Sequence, residues 1–81
     1  MKKVVSVRAL DETKLYVTFS DGLSGIFDVT PYLKSEFFMR LKDESYFKQV
    51  RPFFTGVGWP DGHDFGPDTI EAELQASEGE L

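Results

Sequence analysis

Cysteine is absent from this chain, which excludes disulfide staples, thiolate-bound metals and thiol nucleophiles at once. Histidine and tryptophan occur once each, at His63 and Trp59. A lone imidazole falls short of the several nitrogen or sulfur ligands that zinc sites draw on, and it leaves no second His for a nucleophile–base relay. The six serines are scattered without a nucleophile elbow, and no glycine-rich run joins a strand to a helix, so no phosphate-binding loop is present. No apolar run approaches the ~20 residues of a membrane span. The start, Met1 to Arg8, is basic and then apolar, but Ser6 and Arg8 interrupt any signal-peptide core. A soluble cytoplasmic protein is expected. Basic residues stop at Arg51, while Asp61, Asp64, Asp68, Glu71 and Glu73 all lie beyond it. With nine basic residues against fourteen acidic, a net charge of −5 and an acidic C-terminal third, the chain is not expected to bind DNA or RNA directly.

What the chain does hold is enough for one small core. It has 81 residues, 41% of them hydrophobic, with eight Phe and three Tyr beside the one Trp. Large rings bury much area each, and ordinary packing must supply the stability. The expected organisation is a single α+β domain over residues 1–76 and a disordered acidic tail over 77–81.

Val4 to Leu10 alternates with the period of two of a half-buried strand, and Lys14 to Ser20 does so again. Asp21-Gly22 is a strong short-hairpin signal. Taken as a two-residue turn, it sets Ser20 opposite Leu23, Val17 opposite Ile26 and Tyr16 opposite Phe27. This predicts a three-stranded antiparallel meander over residues 4–29. One of its faces carries Leu15, Val17, Phe19 and Ile26; the other carries an aromatic pair and needs partial cover. Thr30-Pro31 reads as an N-cap with Pro at the first helical position. Phe37, Phe38 and Leu41, then Tyr46, Phe47 and Val50, recur at helical intervals, with Asp43 as a cap between them. Two or three short helical turns covering the sheet are expected. Phe53 to Trp59 reads as one further strand, and Gly56 and Gly58 mark a bulge or close backbone approach. Pro60-Asp61-Gly62 is a three-residue hairpin loop, and His63 to Phe65 returns as a short strand. Gly66-Pro67 opens the last helix, with Asp68 at its positive end and Phe65 and Ile70 as a hydrophobic staple. The fold class is therefore α+β: a small antiparallel sheet, made of the N-terminal meander and a C-terminal hairpin, covered by short helices.

Two constellations bear on function. Asp61, His63, Asp64 and Asp68 supply carboxylates and an imidazole for a hard divalent ion or an acid–base pair. Their spacing matches no metal loop, and each Asp has a structural use in a turn or helix start. No cofactor and no metal is assigned. Second, the adjacent pairs Phe37-Phe38 and Phe53-Phe54 cannot both point inward from a regular element, so a ring of each pair is expected at the surface, where exposed aromatics enrich binding sites. Phe37, Phe53, Trp59, Asp61, His63 and Asp64 are the candidate partner-binding residues.

Four segments carry a family resemblance: Leu15-Tyr16-Val17-Thr18-Phe19-Ser20-Asp21-Gly22; Phe27-Asp28-Val29-Thr30-Pro31-Tyr32-Leu33; Phe38-Met39-Arg40-Leu41-Lys42-Asp43 with Phe47; and Trp59-Pro60-Asp61-Gly62-His63-Asp64. In this order and spacing the chain resembles the small bacterial proteins grouped as domain-of-unknown-function family 2442. Gly66 departs from the acidic or polar residue that usually precedes Pro67 there. The resemblance implies a small α+β domain with no established activity or catalytic residues. Members look like partners of another small protein family, in pairs resembling toxin–antitoxin modules. Some relatives add a helix-turn-helix domain; this chain has no such segment, so DNA binding is not carried over. The expectation is a non-enzymatic binding or regulatory protein, antitoxin-like, with a protein partner or a second copy of itself, and with no membrane role. The alternatives are a small metal-dependent or acid–base enzyme using the Asp61, His63, Asp64 and Asp68 cluster, or a structural homodimer module.

Overall fold

The computed structural model describes residues 2–74; the expected tail lies outside them. Strands β1 (Val4–Ala9), β2 (Lys14–Phe19) and β3 (Ser24–Asp28) form an antiparallel meander in the order β1-β2-β3. Two 3-10 turns follow, Thr30–Tyr32 and Phe38–Lys42, and then a one-turn helix α1 (Glu44–Phe47). A second antiparallel sheet is built from β4 (Arg51–Phe53), β5 (Gly56–Gly58) and β6 (Asp64–Phe65), and helix α2 (Pro67–Glu73) closes the described chain.

The first hairpin is one residue longer than the two-residue reading. The Phe19 N–H donates to the Leu23 carbonyl at 2.8 Å and the Gly22 N–H returns to the Phe19 carbonyl, so Ser20, Asp21 and Gly22 form the loop. Only Gly22 takes a positive φ, +93°, as in a three-residue loop that ends in a left-handed glycine. The register becomes Leu15 opposite Phe27, Tyr16 opposite Ile26 and Val17 opposite Gly25. A slip of one residue moves every β3 side chain to the other face. Phe27 therefore joins Leu15, Val17 and Phe19 in the core, and Ile26 goes to the outer face with Tyr16. That face is covered locally: Arg8 lies over the Tyr16 ring, whose hydroxyl donates to Ser24 Oγ.

The 3-10 turn at Thr30 is capped differently from the expectation. Thr30 makes no cap bond; the Asp28 carboxylate accepts from both the Thr30 N–H and hydroxyl, at 2.9 and 2.6 Å. Asp43 does cap α1, accepting from Ser45 N–H and Tyr46 N–H. Its position one turn before two buried rings explains why so short a helix forms, since the cap and the packing of Tyr46 and Phe47 replace the stability that length would give.

The stretch from Phe53 to Trp59 is two strands rather than one. It folds back at Phe54-Thr55, with Phe53 opposite Gly56, and Phe54 adopts a left-handed φ of +52°. The expected C-terminal hairpin is thus part of a three-stranded sheet. Close backbone approach does account for Gly56: a Cβ there would sit 2.0 Å from the Phe65 carbonyl oxygen. The two sheets join where the Val4 N–H donates to the Thr55 carbonyl at 2.9 Å. Between them lie Phe19, Phe27, Phe47, Leu15, Leu41, Val17, Val29, Val57 and Ile70, all fully buried.

Candidate functional site

The loop Pro60-Asp61-Gly62 sets the site's geometry. Trp59 N–H donates to the His63 carbonyl, Gly62 N–H donates to the Trp59 carbonyl, and Gly62 holds φ at +103°. Side chains alternate beyond the loop, so His63 and Phe65 turn inward while Asp64 faces out with Gly58, its neighbour across the ladder.

His63 is 7% exposed and both its ring nitrogens are engaged. Nε2 lies 2.7 Å from the Phe37 carbonyl oxygen, and Nδ1 lies 2.8 Å from the Tyr46 hydroxyl. A carbonyl only accepts, so Nε2 carries a proton, and in the neutral imidazole Nδ1 then accepts from Tyr46. The Tyr46 oxygen in turn accepts the Asp61 N–H at 3.0 Å. Each polar group in this chain has a partner, which is what allows an imidazole to be buried at small cost. Arg40 lies over the Tyr46 ring, 4.2 Å from its centroid, and donates to the Asp61 carboxylate. The network thus ties the 3-10 segment, α1 and the Pro60 loop together.

Above it stands Phe37, 55% exposed, with its ring 4.5 Å from the imidazole and 4.9 Å from the Phe38 ring. Phe38 packs on Phe65 at 4.8 Å and on Tyr32 at 5.9 Å, forming a continuous aromatic ridge. The Tyr32 hydroxyl donates to the Glu73 carboxylate at the far end of α2. That hydrogen bond, with partial burial and the nearby negative charge, pushes the Tyr32 phenol up to about 12. Asp43, below the network, is held beneath the ordinary carboxylate range by the Ser45 hydroxyl and the N–H groups it caps.

The six candidate residues fall into separate groups. Phe37, Asp61 and His63 come together, Phe37 and Asp61 at the surface and His63 beneath them. Trp59 is in the core, stacked 5.9 Å from Phe47 and donating its Nε1–H to the Phe47 carbonyl; it offers no surface to a partner. Phe53 and Asp64 lie on the outer face of the second sheet. Among the described residues no group of three or more His, Asp and Glu side chains could hold a metal ion, so the Asp61, His63, Asp64 and Asp68 set is not assembled as ligands. Tyr46 and Arg40 complete the network around His63. No spacing in the sequence tied either of them to His63; only Tyr46's place in the aromatic series hinted at burial.

Residues 4–76 match the family described as Protein of unknown function (DUF2442). The chain belongs to the DUF2442 family. No curated protein and no solved structure matches it. In this DUF2442 member the quoted segments are the joints of the fold. Leu15–Gly22 is β2 with its loop, Phe27–Leu33 leads from β3 through the first 3-10 turn, Phe38–Asp43 is the second turn with the α1 cap, and Trp59–Asp64 is the loop under the aromatic ridge.

Proposed function

We propose that this DUF2442 chain is a non-enzymatic binding module, antitoxin-like or regulatory, that recognises a basic protein partner through the aromatic ridge ending in Phe37. The observation that carries this reading is that Phe37 is largely exposed yet rigidly held: its carbonyl receives the buried Nε2–H of His63 and its ring packs on the imidazole and on Phe38. A buried polar network spent on fixing a surface aromatic is what a preorganised binding anchor requires. Carboxylates stand at both ends of the ridge, Asp61 beside Arg40 and Glu73 beside Tyr32, and the chain's net charge of −5 attracts a basic partner. Both nitrogens of His63 are committed to protein groups, which supports binding over acid–base chemistry.

The test is affinity capture with the tagged chain from its native cell, run beside Phe37→Ser and Asp61→Lys. A stoichiometric small basic protein retained by the wild type and lost with both variants is the expected result. Retention unchanged by either variant would place the contact elsewhere, and an empty column for the wild type would remove the reading.

A further inference from the structure

We propose that the outer face of the second sheet is a contact between two copies of this chain, on a surface separate from the Phe37 ridge. Residues directly opposite in antiparallel strands share a face. Arg51 and Asp64 both oppose Gly58, from β4 and from β6, so the three form one row with the opposite charges at its ends. In the middle of that row there is no side chain, and the Phe53 ring fills the gap: a Cβ on Gly58 would lie 2.9 to 3.1 Å from Phe53 Cβ, Cγ and Cδ2. Phe53 is 40% exposed there, and the next residue, Phe54, is 85% exposed with its ring 4.5 Å from that of Phe53. Among the described residues neither Arg51 nor Asp64 forms an ion pair within the chain.

This pattern is complementary to itself. When two such faces meet about a two-fold axis running along β5, left and right exchange. Arg51 of one copy then faces Asp64 of the other, twice over, and the Phe53 rings meet near the axis. An isologous interface needs a patch of this kind, because every group must find its counterpart on an identical surface. Phe54 supplies the second argument. A phenylalanine at φ +52° is strained where Gly or Asn would be at ease, and a ring 85% exposed recovers little for that strain within the monomer beyond its contact with Phe53. Cover by a second copy gives the ring a use.

Sedimentation of the purified chain at increasing concentration tests this. A mass rising from 9.2 kDa toward twice that value is expected. Arg51→Asp and Asp64→Arg should each weaken association about tenfold or more by setting like charges against each other, and the double variant Arg51→Asp/Asp64→Arg should restore it. Phe54→Gly should also weaken association while leaving the monomer folded, as followed by circular dichroism. A chain that stays at 9.2 kDa up to ~1 mM, single swaps without effect, or a double swap that fails to recover would each overturn the proposal. Phe37→Ser should leave the dimer intact, which keeps this result distinct from the fate of the partner-binding reading.

Discussion

The Tyr46 hydroxyl stands 2.8 Å from His63 Nδ1, and this one hydrogen bond links the only histidine of the chain to the helix that carries Tyr46. It also fixes the tautomer, because Nε2–H is committed to the Phe37 carbonyl on the other side of the ring. Removing the hydroxyl leaves the buried His63 Nδ1 without its partner and frees the partly buried Asp61 N–H. Tyr46→Phe is expected to lower stability by about 1–3 kcal/mol, a fall in Tm of about 5–15 °C for a domain of this size. Urea unfolding followed by Trp59 fluorescence measures it. A cost near zero would mean that water replaces the hydroxyl and that the network does not hold Phe37.

His63→Ala removes both hydrogen bonds and the ring under Phe37. The expected outcome is a less stable chain, by about 2–4 kcal/mol, with faster backbone amide exchange around Phe37. Partner capture should fall even under conditions where the variant remains folded. A variant that binds as well as the wild type would separate His63 from the ridge's function.

Two glycines of β5 should respond unequally to the same change. At Gly56 the added methyl meets backbone, the Phe65 carbonyl oxygen at 2.0 Å, so β6 must move; Gly56→Ala is expected to cost about 3 kcal/mol or more. At Gly58 the methyl meets Phe53 Cβ at 2.9 Å as well as the ring. Rotation moves the ring but not Cβ, so β4 must give slightly, and a smaller cost of about 1–2 kcal/mol is expected because the contact is less close than at Gly56. Thermal unfolding of the two variants checks the order, and equal costs would contradict the packing described.

Phe54→Gly should stabilise the monomer by about 0.5–1 kcal/mol, because relief of the left-handed strain outweighs the extra freedom glycine has when unfolded. Stability and function would then move in opposite directions at one position. A destabilised Phe54→Gly chain would show that the ring does useful packing in the monomer.

At high pH the Tyr32–Glu73 bond should fail. The phenol's folded value, about 12, lies above its ordinary value of 10.0, so the bond's contribution is fully present below pH 10 and is lost as pH rises from there through 12. Tyr32→Phe is expected to lack this component. The difference in stability between wild type and variant, measured from neutral pH to above pH 11, should narrow across that window. At the acid end Asp43 acts with the opposite sign. Its depressed value means the α1 cap is present above the ordinary carboxylate range and is lost as pH falls below it.

The local geometry was largely legible in the residues themselves. The meander, the three short helical turns, the Asp43 cap, the Pro60-Asp61-Gly62 loop and the Gly66-Pro67 helix start depend on preferences within a few positions, and each is found where alternation, capping and turn chemistry place it. Each Phe pair does leave a ring at the surface, Phe37 in the first and both Phe53 and Phe54 in the second, although neither pair lies within one strand: Phe38 opens a 3-10 turn and Phe54 sits in the turn after β4. Register was not legible. Asp-Gly fits both a two-residue and a three-residue loop, and the choice belongs to the core, where the longer loop buries Phe27 opposite Leu15. The turn at Phe54 was hidden because a phenylalanine there gives no local signal for a left-handed backbone; pairing of β4 with β5 imposes it. The site was decided in the same way. The aromatics and the single histidine were visible as residues, but that Trp59 is core, that Phe37 sits on His63, and that Arg51 and Asp64 flank Phe53 are long-range contacts. Those depend on where the strands pair and how the rings fill the space between two sheets, and only the folded chain brings them together.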